Sequence, residues 1–156
     1  MAAEKFQLAT NSQLFHVPYK GSGPAVTDLL GGQIDMVIET LTTLYPHLNS
    51  GKIKFLAVST DERVKTIPDV PTLTELNVKD YVLTTNYGLL APSGTSPDIV
   101  QQMSAAMQKI ASRNDVQERL LASGARAYGT TPQETDQLLR DEVVKWSDVA
   151  IKAKVE

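Results

Sequence analysis

The sequence contains no cysteine. That removes disulfides, thiolate nucleophiles and cysteine-ligated metal sites together, although it leaves the cellular compartment open. Histidine is nearly as scarce, with His16 and His47 alone, and neither sits in a spacing such as H-E-x-x-H that holds zinc. No run of about 20 apolar residues occurs, so no helical membrane span is expected. The first residues, Met-Ala-Ala-Glu-Lys-Phe, lack the basic head and apolar run of a secretory signal; a chain that begins this way is expected to stay in the cytoplasm. Excess positive charge is also missing. The net charge is −3, which argues against nucleic acid as a partner, since that needs a basic surface. Nor is there a carboxylate pair, a nucleophile elbow or a ligand cluster, so an enzyme has no residues to stand on. Neither a metal nor a cofactor is expected.

What remains is an ordinary globular composition. The 156 residues are 42% apolar and 21% charged, enough for a real core. Residues 3–11 read as a short helix without a start signal, as if its beginning lay further upstream. Leu14–Val17 reads as a short strand, Lys20–Pro24 as a glycine-rich turn, and 24–31 as a helix with Pro24 at its first position. The apolar runs Ile34–Ile38 and Ile53–Val58 have the pattern of buried parallel strands, separated by a brief helix at 42–49 that Pro46 interrupts. Strand, helix and strand at this spacing predict an α/β fold with a parallel-rich sheet. From 59 to 81 prolines and aspartates punctuate a loop around one short helix, Thr72–Leu76. Tyr81–Ala91 is then extended.

The last third is helical. Ser96 is placed as an N-cap, with Pro97 and Asp98 in the first turn. Ile99, Met103, Met107 and Ile110 follow on one face, a pattern that predicts core. A second helix runs over 115–122 and stops at Gly124. Thr131 to Glu134 is a capping-box start, and the helix it opens is expected to carry Leu138, Leu139, Val143, Trp146, Val149 and Ala150 toward the core.

Chemistry concentrates at Lys20-Gly21-Ser22-Gly23. A glycine turn between strand and helix lies at the carboxyl edge of a parallel sheet, where ligands bind. The first N–H groups of the helix have no helical partners and carry its positive dipole end, so they can hold an anion without a cationic side chain. Ser22 can add its hydroxyl. The bland alternative is a plain turn. The turn lacks the Gly-Lys-Ser/Thr ending of a P-loop and the third glycine of a dinucleotide fingerprint. Glu39 and Thr40 should reach the same edge; either Glu39 meets a ligand ammonium or the two residues cap the helix at 42–49. Asn86 and Tyr87 can line a cleft or simply pack. Lys20 and His16 read as surface groups.

Three stretches carry a family likeness: His16-Val17-Pro18-Tyr19-Lys20-Gly21-Ser22-Gly23-Pro24-Ala25 running on to Asp35; Gly51-Lys52 to Val58 followed by Pro68–Thr72; and Gly88–Thr95. In order and spacing they resemble periplasmic solute-binding receptors of the tripartite tricarboxylate (Bug, TctC-like) family. The resemblance implies a type II periplasmic-binding-protein fold of two α/β lobes closing on a carboxylate or amino-acid solute, which is delivered to membrane permease subunits. It implies that Tyr19, Lys20, Gly21, Ser22, Gly23 and Ala25 form the second lobe's contribution to carboxylate binding, and that the protein acts in the periplasm. It also implies that most of the first lobe is missing from this chain, with 1–83 the second lobe and 84–156 the crossover strand and helices that return to the first. Apolar surface left uncovered would then drive homo-oligomer formation, with the C-terminal helices exchanged between chains. Two readings of function follow: a solute-binding component, or a folded remnant that only self-associates. A small hydrolase ranks last.

Overall fold

A computed structural model of the chain describes residues 1–154. They divide at Thr85 and Asn86 into two compact units, which are taken in turn.

The first unit contains α1 (Ala2–Thr10), α2 (Ser22–Leu30) and α3 (Leu41–Leu44), the last running into a short 3-10 turn at Tyr45–His47 where Pro46 intervenes. Helix α1 ends where Asn11 turns left-handed, at φ 51°. Helix α2 begins two residues earlier than its proline suggests, so Pro24 occupies the third helical position and not the first. The shift is tolerated because any N–H in the first turn lacks an intrahelical partner anyway.

The expected strands are the main correction. Residues 14–17, 53–58 and 81–91 lack helix and turn, as do 36–38, while 33–35 bend; no strand is assigned among the described residues. One parallel bridge, Val58 to Thr72, is present. Apolar and β-branched runs favour extended backbone, but a strand also needs a ladder of hydrogen bonds to a neighbour, and among the described residues only isolated exchanges occur, Val58 with Pro71 and Leu73 and Leu83 with Ser59. The short helix expected at 72–76 is likewise only a series of turns. Thr72 Oγ1 accepts from the Glu75 N–H at 3.1 Å, and Glu75 Oε2 accepts from the Thr72 N–H at 2.7 Å. That is a reciprocal cap on a single turn, and one turn is too little to propagate a helix. Asn77, at φ 63°, ends it.

Tyr81 is the most enclosed side chain of this unit, 1% exposed. Its ring meets Phe6 of α1 edge-on at 5.7 Å between centroids, and its hydroxyl donates to the Ala2 carbonyl at 2.8 Å. Two residues on, the Leu83 N–H donates to the Ser59 carbonyl and the Ser59 hydroxyl donates to the Leu83 carbonyl, both at 2.8 Å. Val58 bonds to Pro71 and Leu73 through its own N–H and carbonyl, both at 2.9 Å. Val26, Ile67, Leu83 and Thr72 are also buried.

The second unit is built from α4 (Pro97–Ala111), α5 (Asn114–Ala122) and α6 (Pro132–Ala153). Each boundary is the one its residues encode. Ser96 Oγ accepts from the Ile99 N–H; Gly124, at φ 78°, follows the last turn of α5; and Thr131 with Glu134 forms a complete capping box. Helix α4 packs against α5 and α6, but not with the face expected. The half-buried row is Val100, Ser104, Gln108 and Ala111. Ile99, Met103, Met107 and Ile110 are between 44 and 53% exposed. On α6, Val149 is buried, Leu138, Trp146 and Ala150 are half-buried, and Leu139 and Val143 are exposed. The apolar stripes are real, but within this unit it is the more polar row, at Gln108, that Gly129 approaches closely.

Two outcomes test these packings. Burial pushes the Tyr81 phenol up to about 12. The neutral ring is the form the fold prefers, so its contribution is complete below the ordinary phenol value of about 10 and is lost as pH rises from there toward the folded value. Melting midpoints should fall more steeply across that alkaline range in the wild type than in Tyr81→Phe, which should lose about 1 kcal/mol at neutral pH for its missing hydrogen bond. In the second unit, a Cβ at Gly129 would lie 2.9 Å from Gln108 Cα. Gly129→Ala should therefore destabilise by about 1–3 kcal/mol, read from the denaturant midpoint of the helical signal.

Candidate functional site

The turn into α2 is held in a conformation that only glycine adopts readily. Gly21 has φ 143° and ψ 174°, a region essentially closed to residues with a Cβ. The next residue, Ser22, is already helical. The N–H groups of Ser22 and Gly23, at the first two helical positions, have no acceptor among the described residues, and Pro24 has no N–H to give. Gly23 is exposed, and a Cβ built there meets nothing within 4 Å. Two donors are therefore left without a partner among the described residues at the positive end of a nine-residue helix, an arrangement suited to a carboxylate or other small anion. Lys20 and Gly21 are exposed; Ser22 and Ala25 are half-buried.

Tyr19 is tied to the same helix from outside. Its hydroxyl donates to Asp28 Oδ2 at 2.7 Å. That hydrogen bond to the carboxylate, reinforced by desolvation and the negative charge, raises the phenol above its ordinary value. Asp28 carries no signal in the linear sequence, because the pair is nine residues apart and joins a loop to a helix face.

Glu39 and Thr40 make their hydrogen bonds locally, with none to the glycine turn. Thr40 occupies the N-cap position of α3; its carbonyl accepts from the N–H groups of Thr43 at 3.1 Å and Leu44 at 3.3 Å. Glu39 Oε1 accepts from the Thr40 N–H at 2.8 Å. Both residues thus serve the helix start. Tyr87 belongs to the second unit and is 81% exposed; it does not pack as a core aromatic. Its neighbour Asn86 accepts, through Oδ1, a hydrogen bond from the Tyr128 hydroxyl at 2.6 Å. His16 is exposed. No cluster of metal-ligating side chains occurs among the described residues, and no described helix is long and apolar enough to cross a membrane.

Comparison with known proteins gives this geometry a context. The chain matches the tripartite tricarboxylate transporter family receptor (TctC) over residues 1–155. It is 35% identical over 149 residues to protein BugT of Bordetella pertussis strain Tohama I, covering 96% of this chain and 46% of that one. It is 32% identical over 152 residues to the UPF0065 protein in the clcB-clcD intergenic region of Pseudomonas knackmussii, covering 97% of this chain and 90% of that one. Among solved structures, R. palustris Rpa4515 with adipate superposes with a TM-score of 0.90 at 30% identity, over 98% of this chain and 51% of that chain. MatC (Rpa3494) from Rhodopseudomonas palustris with bound malate does so with a TM-score of 0.81 at 30% identity, over 95% and 51%. The chain thus spans about half the length of BugT and of both solved chains. The family match runs through the glycine turn and the capped helices alike, and the chain belongs to the tripartite tricarboxylate transporter receptor family.

Proposed function

We propose that this chain is a solute-binding component of a tripartite carboxylate uptake system, and that it holds one carboxylate of its solute at the N-terminus of α2. The observation that carries the reading is the pair of unpartnered N–H groups on Ser22 and Gly23, in a chain whose solved neighbours were obtained with adipate and malate. Tyr19, Lys20, Gly21 and Ala25 complete the turn, and Ser22 adds its hydroxyl. In this reading the solute is a small carboxylate or an amino acid; binding takes place in the periplasm, and the solute passes to membrane permease subunits. Glu39 is a further contact in the same proposal and favours a solute that carries an ammonium. The chain is not an enzyme: its work is capture and release, with no bond made or broken.

The test is a titration of the 156-residue chain with adipate, malate and aspartate at up to tens of millimolar. Binding at ten times the dissociation constant should stabilise the chain by about 1.4 kcal/mol. Gly23→Leu puts bulk beside the two donors, at a position where a Cβ meets nothing within 4 Å. It should keep the wild-type melting behaviour and lose the ligand response. A response that survives Gly23→Leu places the anion elsewhere.

A second reading, self-association, has its own observation. The apolar row Ile99, Met103, Met107 and Ile110 of α4 faces outward, and on α6 Val143, Val144 and Ile151 are more exposed still. Exposed apolar patches of this kind mark association surfaces, and a two-fold axis would set the α4 stripe against itself. We propose that a second copy of the chain covers it, giving a homo-oligomer. Light scattering should give a mass of at least twice 17.0 kDa, falling to one chain in Met103→Glu/Met107→Glu. A wild-type protein that runs as a monomer at high concentration would sink this reading.

A further inference from the structure

We infer that Tyr19 and Asp28 form a latch that positions the anion-binding turn, a role that rests on the solute-binding reading above. From Phe15 to Lys20 the chain has no helix and no backbone hydrogen bond among the described residues. The hydroxyl of Tyr19, donating to Asp28 Oδ2 at 2.7 Å, is the one hydrogen bond that fastens it there. On one side of the segment the Leu14 N–H donates to Gln7 Oε1 at 2.6 Å; on the other, helix α2 begins at Ser22. The latch therefore lies two residues before Gly21 and decides the direction in which the chain enters that glycine.

The direction matters because Gly21 has no intrinsic reason to rest at φ 143° and ψ 174°. Glycine samples both signs of φ with similar ease, so an unlatched turn would spread over many entries to α2 and present the Ser22 and Gly23 donors in as many ways. Asp28 is the seventh residue of α2, about 9 Å down the axis from the first at 1.5 Å per residue. The Tyr19 hydroxyl is thus tied well down the helix from its first residues, and a Cβ at Gly23 meets nothing within 4 Å, Tyr19 included. Electrostatics points the same way. An acidic side chain in the later half of a helix opposes the dipole, and a carboxylate on the helix that receives an anion opposes the anion. A phenol donating to Asp28 offsets both effects while keeping the charge away from the donors.

A latch predicts that the acceptor at position 28 matters and its charge does not. Asp28→Asn keeps an oxygen for Tyr19 and should preserve both loop order and adipate affinity. Tyr19→Phe and Asp28→Leu should each weaken adipate binding about tenfold, and the double variant should be no weaker than either alone. Amide relaxation of Lys20, Gly21 and Gly23 in the ligand-free chain should show the loop loosened in the same three variants and unchanged in Asp28→Asn. That readout is independent of any solute. A Tyr19→Phe chain with wild-type amide relaxation overturns the latch, as does additive weakening in the double variant or failure of Asp28→Asn to match the wild type. If the wild type shows no response to adipate or malate, the binding reading falls and the positioning role falls with it, while the amide data alone say whether the hydrogen bond orders the loop.

Discussion

Residues 79 positions apart meet where the Tyr81 hydroxyl donates to the Ala2 carbonyl, and most of the first unit is organised around that meeting. The ring closes edge-on against Phe6, so helix α1 is fixed to the segment 81–83. Leu83 passes the connection to Ser59 through two reciprocal hydrogen bonds, and Val58 passes it on to Pro71 and Leu73. These are isolated pairings and not a sheet. In an ordinary α/β domain long ladders share this load; here one aromatic residue and a handful of backbone bonds carry it. The Arg63 guanidinium, donating to both oxygens of Glu75 at 3.0 Å and to the Pro68 carbonyl, adds a tie across the same loop. Both partners are nearly half exposed, and such pairs contribute little.

What the sequence encoded most clearly were the stops and starts. Ser96, Thr131 with Glu134, and Gly124 each act through one local hydrogen bond or one dihedral angle, so their meaning does not depend on distant residues. The strands were less legible. Ile53–Val58 has the apolar composition of a buried strand, and composition determines which conformation a segment prefers but not whether a neighbour lies alongside. Helix α4 shows the same limit from the other side. Its periodicity correctly gave a stripe at Ile99, Met103, Met107 and Ile110, yet periodicity names a face without naming what covers it. The face that packs within the unit holds Ser104 and Gln108, with Gly129 set close against Gln108.

The candidate site divides along the same line. Gly21, Ser22 and Gly23 were legible because glycine at a turn into a helix has a stereochemical meaning that needs no context. Asp28 was not, since its role exists only once the Tyr19 loop folds back on α2. Glu39 was readable in two ways, and the geometry gives it a partner at the start of α3 in the Thr40 N–H. Tyr87, read as either lining or packing, has little to pack on within its unit.

Magnitudes set what such a turn can do by itself. Two hydrogen bonds to a charged carboxylate are worth about 1.5–3 kcal/mol each, and the helix end adds about 0.3–1 kcal/mol at an exposed site. From this must come the cost of association, at least about 4 kcal/mol. The balance is close to zero at its lower bound and near 3 kcal/mol at its upper, which corresponds to dissociation constants of millimolar or weaker. Two backbone donors meet one carboxylate, so neither the length of the solute nor its second charged group is recognised by them. Tight and selective capture therefore requires additional donors brought to the far end of the solute. For the turn itself, affinity depends on how narrowly Gly21 is held, because with so few contacts any spread in donor direction removes most of the binding energy.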